Sequence, residues 1–521
     1  MKITYYIRLA VVMCIGLMTV SCKGFLKEHS EDLAYIRTLG DLDQLLIGSA
    51  YMTVHPRTPL NYKNFYIPFV HYMADETEEV IGNTRYNPEA NIRPRIFGYY
   101  TWQKNVGAYF DTSKHADEST DWLRFYNHIS TLNTVLSELK NIAPKSPKEI
   151  DRHNLIKAEA LSLRSIYYFL LVNLYASPYS EANRSVPGVP LKLSSHVEDR
   201  KFTRRTIGEV YDHIVQDLEE AAHLIAGQPV RSKYRLSEAG ICLMLSRVYL
   251  YMQNWKMAKT YAQKSLALHA TLENYNGWDK AISVQRIESP EVLFSMGGSL
   301  LYGHLNSSSP TGGFQVSAGL YDLFDQGDLR KDLFFKKQKE KGSITGNVIF
   351  PIKQDPKGAN RGQVSDIFCL RTAEAYLNMA EASAMLGEVS EGQDNLNKLL
   401  SARIGRSVFK PLEGLSQEEL VKVVRTERRK ELCFEGHRWF DLRRYRVTTL
   451  FPEKTELTNT YTVYSKDGRN SKMSVTYYYR LPAEEDAGYV LPIPAEQKAI
   501  NDTIKDNIRV ERTPSKTKTY E

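Results

Sequence analysis

Residues 245–266 have the sequence LSRVYLYMQNWKMAKTYAQKSL, and this stretch decides which class of fold the chain should adopt. It matches the spacing of the tetratricopeptide pattern, in which two helices pair as a hairpin, at four positions: Leu245, Ser246, Tyr249 and Ala258. Small residues in that pattern let the two helices approach closely. The stretch therefore predicts a helical hairpin over residues 236–267.

A second hairpin of this kind is predicted over residues 366–404, where Ala380 and Gly392 take the small positions. Gly387 should end its first helix, because glycine readily adopts the left-handed conformation found there. Earlier amphipathic helices are indicated by apolar residues at spacings of three and four. The predicted helical segments cover about residues 38–55, 122–176, 206–268 and 366–404. Hairpins of this kind stack into a curved slab.

Local signals refine this pattern. Thr206 with Glu209 three residues later predicts a capping box at a helix start. Residues 58–115 and 270–365 are rich in Gly, Pro, Asn, Ser and aromatic residues, which favours loops, short strands and small helices. Residues 456–481 alternate as a strand pair with a turn at Asp467 and Gly468. We therefore expect a mainly α fold, in which tetratricopeptide-like hairpins form a curved slab overlaid by irregular loops, short helices and small β-hairpins.

The N-terminus has the pattern of a secretory signal. Lys2 and Arg8 accompany an apolar run, Leu9–Val20, which is shorter than the about twenty residues that span a membrane. A serine directly before Cys22 is typical of a bacterial lipoprotein signal. We predict a signal peptide over residues 1–21, a lipid anchor on Cys22 and a single interleaved unit over residues 22–521. An ordinary secretory signal with a free Cys22 is the alternative.

Charge and cysteine content exclude several classes of function. The formal net charge of +7 is small for 521 residues, and we predict no nucleic-acid partner. Cys242, Cys369 and Cys433 are far apart in apolar helical contexts, which predicts buried small hydrophobes rather than disulfides. The sequence has no CxxC motif, so a cysteine zinc site is not expected.

The sequence lacks the motifs of common catalytic and nucleotide-binding sites: GxSxG, GxxxxGK[ST], HExxH and the dinucleotide fingerprint. Its densest acidic cluster is DETEE, residues 75–79. Such a run is most often a solvated helix start, but Asp75, Glu76 and Glu78 could bind calcium, or the cluster could serve a glycoside hydrolase. We predict no catalytic residue, no metal and no cofactor, with structural calcium at these three residues as a weaker candidate.

Residues 428–445, RRKELCFEGHRWFDLRRY, carry a dense set of charges beside a cysteine and a histidine. On one helix, six of them form a stripe of mostly alternating sign: Arg428, Glu431, Glu435, Arg438, Asp441 and Arg444. His437 has only Asp441 at i+4, which is weak evidence for a metal site. The stretch therefore predicts a scaffold helix with a ladder of salt bridges rather than an active site.

These segments occur in a recognisable order along nearly the whole chain. They include MADET (73–77), WLRFYNHISTLN (122–133), KAEALSLRSIYYFLLVNLY (157–175), LRTAEAYLNMAEASAMLGE (370–388), RTERRKELCFEGHRWFDLRRY (425–445) and YVLPIP (489–494). In this order, and behind a lipoprotein signal, the chain resembles the SusD/RagB family of outer-membrane lipoproteins. The resemblance implies that about residues 415–445 form a structural helix.

The resemblance further implies a non-enzymatic protein anchored in the outer membrane through its N-terminal lipid and displayed on the cell surface. Members of the family bind a glycan, or in some branches a peptide, and cover a SusC-like TonB-dependent transporter. Their helical slab faces the transporter, and the ligand lies on the opposite, loop-rich face. A surface glycoside hydrolase and an adaptor whose only partner is the transporter are the competing hypotheses.

Aromatic side chains on that face would stack on sugar rings, while polar groups bind the hydroxyls. Two loop regions have suitable residues, the first over residues 87–103 and the second over residues 300–314. The predicted ligand-binding residues are Tyr99, Tyr100 and Trp102 in the first region, and Tyr302, His304 and Asn306 in the second. For each aromatic residue the alternative is a place in the core.

Overall fold

The computed structural model has the mainly α fold predicted from the sequence. It describes residues 36–52, 66–82, 93–110, 120–196, 198–296, 305, 313–339, 347–354, 364–467, 470–485 and 487–520. The long helices pack side by side in chain order and form the slab. Their bounds are α1 Leu39–Leu45, α4 Thr120–Glu138, α5 Pro147–Tyr175, α6 Ile207–Ile225, α7 Glu238–Tyr251, α8 Trp255–Leu268, α11 Thr372–Met385 and α12 Val389–Ser401.

Both predicted hairpins are present. In α7 and α8, the Ser246 hydroxyl donates to the Ala258 carbonyl at 2.8 Å, so the small residues do bring the two helices together. In α11 and α12, a Cβ on Gly392 would lie 2.8 Å from the Leu420 side chain and 3.2 Å from the Ala380 carbonyl oxygen, so the glycine allows the two helices to lie close together. Gly387 follows α11 with a φ of +79°, as predicted for its C-terminus.

Local capping also follows the sequence. The Thr206 hydroxyl accepts from the Glu209 amide at 3.2 Å, and the Glu209 carboxylate accepts from the Thr206 amide at 2.8 Å, which completes the predicted capping box of α6. Between α5 and α6, Arg164 donates from Nε and Nη2 to the two carboxylate oxygens of Asp217 at 2.8 and 2.9 Å. This buried, bidentate pair joins the two helices where their apolar faces meet.

Short strands lie beside the slab in antiparallel groups. They pair as β1 with β3, β2 with β6, β4 with β5, and β8 with both β7 and β9. Their bounds are β1 Thr77–Glu79, β2 Val292–Ser295, β3 Phe314–Val316, β4 Phe335–Lys339, β5 Asn347–Pro351, β6 Cys369–Arg371, β7 Leu457–Asp467, β8 Asn470–Leu481 and β9 Lys516–Thr519. The β7–β8 hairpin, with Asp467 opposite Asn470, is the strand pair predicted over residues 456–481.

The prediction of a single helix over about residues 415–445 is wrong. The segment forms two helices, α13 Gln417–Glu431 and α14 Arg438–Tyr445, with a tight connection between them. Phe434 and Gly436 in that connection have φ values of +57° and +76°, which a continuing helix does not allow. The remaining short helices are α2 Val70–Met73, α3 Arg93–Tyr100, α9 Ala318–Tyr321, α10 Arg330–Phe334 and α15 Ala495–Ile500.

A large apolar cluster joins the slab helices to the overlying segments. Cys242, Cys369 and Cys433 are buried and unpaired, as the sequence predicts. Burial raises the pKa of the Cys242 thiol to about 11, so this thiol stays protonated at neutral pH. In the part of the chain that the structure describes, no helix combines the length and the apolar composition needed to cross a membrane.

Candidate functional site

The three aromatic residues predicted in the first loop region belong to the core. Tyr99, Tyr100 and Trp102 are 4%, 1% and 1% exposed. Tyr99 stacks on Phe69 with ring centroids 4.1 Å apart, and the Trp102 indole donates to the Met73 carbonyl at 2.9 Å. Rings buried to this extent present no face to a sugar, so these three residues take the alternative that the sequence left open, a place in the core.

The second group, Tyr302, His304 and Asn306, lies outside the described residues, and so does the lipidation candidate Cys22. The structure does describe Gly313 and Phe314, where the second predicted loop region ends and strand β3 begins. In the β1–β3 pair, Glu79 is opposite Phe314, and the Val80 amide donates to the Gly313 carbonyl at 2.8 Å.

Because β1 and β3 are antiparallel, the chain leaves β1 and enters β3 at the same end of the pair. Val80, which leads toward the first predicted region, and Gly313, which belongs to the second, therefore meet at one end of the sheet pair. We call this end of β1 and β3 the loop-bearing end.

The acidic run beside this end is not the solvated helix start that the sequence favoured. Glu76 is buried and accepts from the Phe434 amide at 3.2 Å. Asp75 accepts from Nε and Nη2 of Arg438 at 2.8 and 2.9 Å and pairs with Arg429 at 3.1 Å. Burial opposes ionisation of Asp75, but the two arginines outweigh it and lower its pKa to about 2.

The rest of the run forms strand β1. Glu78 accepts from the Gln315 amide group at 2.9 Å and from the Ala318 backbone at 3.1 Å. Glu79 is buried, pairs with Arg93 at 2.8 Å and accepts from the Thr462 amide, yet burial still raises its pKa. The carboxylates proposed for calcium are thus engaged by protein donors. Within the described ranges, no group of three or more His, Cys, Asp or Glu side chains is arranged to hold a metal ion.

The pairing of Asp75 predicts an acid-sensitive contribution to stability. A carboxylate whose folded pKa is lowered stabilises the protein above its unfolded pKa of about 3.9 and loses that contribution as the pH falls toward 2. Because the side chain is 23% exposed, we expect Asp75→Asn to cost about 1–2 kcal/mol at pH 7 and to flatten the loss of stability between about pH 4 and 2. Urea denaturation over a series of pH values measures both effects.

Asp212→Asn is the control for that experiment, because Asp212 pairs with Arg184 at the surface and both side chains are about half exposed. Its removal should change the free energy of unfolding by less than about 0.5 kcal/mol at pH 7. An Asp75→Asn variant with the same acid profile as the unchanged protein would contradict the assignment of Asp75.

The charges of residues 428–445 form buried clusters instead of the predicted ladder. Glu431, fully buried, accepts from the guanidinium groups of Arg330, Arg371 and Arg403 at 2.7–3.2 Å. Each of these arginines lies elsewhere in the sequence, on or beside α10, β6 and α12. We call this group the Glu431 cluster, and its further members are Glu291, Asp328, Lys353, Glu427, Lys430 and Glu435.

A second cluster lies around Asp441, which accepts from Arg428 at 3.0 Å across the helix break and from Arg444 at 2.7 Å within α14. Only the Asp441–Arg444 contact joins predicted stripe members one helical turn apart. Burial, helped by Arg247 and Arg428, holds the pKa of His437 well below its usual value. His437 is therefore neutral at pH 7 and is enclosed by the scaffold.

A pocket of about 330 Å³ opens beside α13 and was not predicted from the sequence. It is lined by a face of α13 with Lys422, Arg425 and Arg429 and by the segment of residues 451–453. The sequence does contain an indication of this basic face, because the three residues recur at spacings of three and four and therefore share one side of the helix. The prediction of a salt-bridge scaffold did not distinguish this face from the buried one.

The tetratricopeptide-like slab and its inserted loop-bearing segments define a helical-repeat protein. Comparison with protein families gives two matches: a model described as the SusD family covers residues 335–509, and one described as starch-binding associating with outer membrane covers residues 69–250. The chain belongs to the SusD/RagB family. SusD-like protein P2 of Formosa agariphila is 25% identical over 378 residues, which are 63% of this chain and 72% of that protein.

Solved structures show the same fold. A SusD superfamily protein of Bacteroides thetaiotaomicron matches with a TM-score of 0.69 at 20% identity, covering 91% of this chain and 100% of that one. A SusD-like carbohydrate binding protein of Bacteroides vulgatus matches with a TM-score of 0.65 at 22% identity, covering 90% and 98%.

Proposed function

We propose that this protein is a non-catalytic, cell-surface lipoprotein that captures a glycan and delivers it to a SusC-like TonB-dependent transporter in the outer membrane. Membership in the SusD/RagB family supports this role, and so does the carbohydrate-binding description of one structural relative. The lipid on Cys22 would hold the protein at the membrane, and residues 22–521 would act as one unit.

The observation that supports the proposal is the β1–β3 pair, in which the chain leaves β1 toward the first predicted loop region and enters β3 from the second at the same end, the loop-bearing end. With Tyr99, Tyr100 and Trp102 in the core, stacking on the sugar falls to the second region, where Tyr302 is the candidate ring and His304 and Asn306 are candidate partners for hydroxyl groups.

The experiment is native electrophoresis of the chain from Lys23 onward in gels cast with plant, host or microbial polysaccharides. We expect one polysaccharide to retard the protein without being degraded, and Tyr302→Ala to reduce the retardation. Stacking of one ring contributes enough that affinity should fall about tenfold. Phe202→Ala, which removes a half-buried ring in the segment before α6, is the matched control and should migrate like the unchanged protein.

The other outcomes separate the competing hypotheses. Degradation of the retarding polysaccharide would make the protein a surface hydrolase. Free mobility in every gel would argue against polysaccharide capture and favour a peptide ligand, which the same family fold can also serve. Trp102→Ala is unsuitable as a binding variant, because its indole is part of the core and its removal would disturb the fold.

A further inference from the structure

His71, on the short helix α2, is a buried histidine whose two ring nitrogens have no hydrogen-bond partner among the described residues. Its side chain is 2% exposed. Nδ1 lies 3.8 Å from a carboxylate oxygen of Glu76, and Nε2 lies 4.0 Å from a carboxylate oxygen of Asp366. Both acids are buried, and both distances exceed the length of a hydrogen bond. The imidazole ring therefore lies between two carboxylates and is hydrogen-bonded to neither.

This arrangement suits a ring that carries two protons. A neutral imidazole has one N–H and one lone pair, so it can donate to only one carboxylate and directs the lone pair at the other. A protonated ring has an N–H on both nitrogens, one for each acid. Hydrogen bonds between two ions have lengths of about 2.7–2.9 Å, so each gap would close by about 1 Å. Only the charged ring would satisfy both nitrogens, and buried nitrogens without partners are uncommon.

The other titratable groups on the neighbouring parts of the fold are bound to one another or uncharged. They are Tyr72 on α2, Asp75 after it, Glu78 and Glu79 of β1, Arg93 and Arg95 of α3, Arg429 of α13, Cys433 after it, and Arg438 of α14. Each arginine of this set except the exposed Arg95 binds an acid of the set. Burial raises the pKa of the Cys433 thiol to about 12 and the pKa of Tyr72 above its usual value, so both are uncharged at neutral pH. Glu76 and Asp366 are therefore the carboxylates that face the ring.

These two acids belong to different parts of the fold. Glu76 directly precedes β1, and its backbone carbonyl accepts from the Ser317 amide, which follows β3, at 2.9 Å. Asp366 lies between β5 and β6, and β6 leads directly into α11 of the slab. The neighbouring Ser365 amide donates to the Ser295 hydroxyl of β2 at 2.9 Å. A ring bound to both acids would thus join the β1–β3 pair to the strands that lead into the slab.

We propose that His71 is an acid-sensitive clamp, in which the ring takes up a second proton as the pH falls and then donates to both Glu76 and Asp366. The clamp holds the β1–β3 pair against the β2–β6 pair when the ring is charged and releases it when the ring is neutral. Because this pair carries the loop-bearing end, the clamp regulates the site of capture, and that meaning rests on the proposed function. The uptake of the proton itself requires no ligand.

The test is urea denaturation of the full chain, purified in detergent, with His71→Gln beside the unchanged protein at about pH 8 and about pH 5.5, the range in which histidine changes charge. A proton that only the folded clamp binds adds stability as the pH falls and is lost as the pH rises. We expect the folding equilibrium constant of the unchanged protein, divided by that of His71→Gln, to be about tenfold larger at the lower pH. Asp75 changes charge in stronger acid, so its effect is separate.

NMR of the ring nitrogens, in protein labelled at its histidines, measures the proton directly. The signals of His71 are those absent from His71→Gln, and they should move from the neutral to the doubly protonated position between the two pH values. His223→Gln is the matched control, because His223 is exposed on α6 and its loss should leave the pH dependence of stability unchanged. If His71→Gln fails to fold, Asp366→Asn still decides. Losing one carboxylate should move the transition of one ring to lower pH by about one unit.

Three results would overturn the proposal. The ring could stay neutral at both pH values, it could be doubly protonated already at the higher one, or His71→Gln and His223→Gln could have the same effect on the pH dependence of stability. These measurements contain no glycan, so a negative result would leave the proposed capture function standing. Conversely, a protein that binds no glycan but protonates His71 as described would retain the clamp and lose only the proposed function.

Discussion

Replacing Glu431 by glutamine should destabilise the protein by about 3–5 kcal/mol, which is among the largest effects expected of a single substitution. Glu431 is fully buried and accepts from three arginines, of which Arg330 and Arg403 are also fully buried. In the Glu431 cluster, five basic side chains face five carboxylates, so its charges balance. Glutamine would leave one positive charge uncompensated in the interior.

The loss of stability caused by Glu431→Gln should not depend on pH near neutrality. Burial opposes the ionisation of Glu431, but Arg403, Arg371 and Arg330 hold its pKa well below the usual value. A group with a lowered pKa contributes its full stabilisation above its unfolded pKa of about 4.3 and loses it only on acidification. Urea denaturation of Glu431→Gln and of the unchanged protein should therefore differ by the same amount at pH 6 and pH 8.

Glu418→Gln is the matched control on the same helix. Glu418 is 55% exposed and pairs with Lys422 one turn away, so its charge is solvated whether or not the pair forms. Its replacement should change the free energy of unfolding by less than about 0.5 kcal/mol. Equal effects of the two substitutions would show that the Glu431 cluster contributes no more than a surface ion pair.

The sequence predicts the helical hairpins well because their signals are local. Ser246 and Ala258 are twelve positions apart, and the same helix spacing that identifies them brings them into contact. The capping box at Thr206 and the helix end at Gly387 are equally local, since each depends on a few neighbouring residues. These features give the fold class without any knowledge of tertiary contacts.

The ion pairs could not be predicted in this way. Glu431 contacts Arg403, Arg371 and Arg330, which are 28, 60 and 101 positions away. A helical stripe offers partners three or four positions away, and nothing in it shows that the helix stops and buries its acids against other segments. The burial of Tyr99 and Trp102 is likewise set by packing against distant residues. The composition of their loop region could therefore not show whether an aromatic ring belongs to the core or to a binding site.

The helix break between α13 and α14 depends on Gly436, and Gly436→Ala should destabilise the protein by about 2–5 kcal/mol. Two costs combine there. The φ of +76° is unfavourable for any residue with a Cβ, and the added Cβ would lie 2.5 Å from the backbone oxygen of Ile367. The clash with backbone cannot be relieved by rotating a side chain, so the connection would have to move.

Gly414→Ala measures the cost of the positive φ alone. Gly414 has a similar φ of +67°, but a Cβ there would meet no atom within 4 Å. Its replacement should cost about 1 kcal/mol, and the difference between the two variants measures the clash at Gly436. Because Gly436 lies between Glu435 of the Glu431 cluster and the first turn of α14, its displacement would also separate Glu435 from Arg371, which it contacts at 2.8 Å. Equal losses in the two variants would mean that the connection can shift without disturbing that cluster.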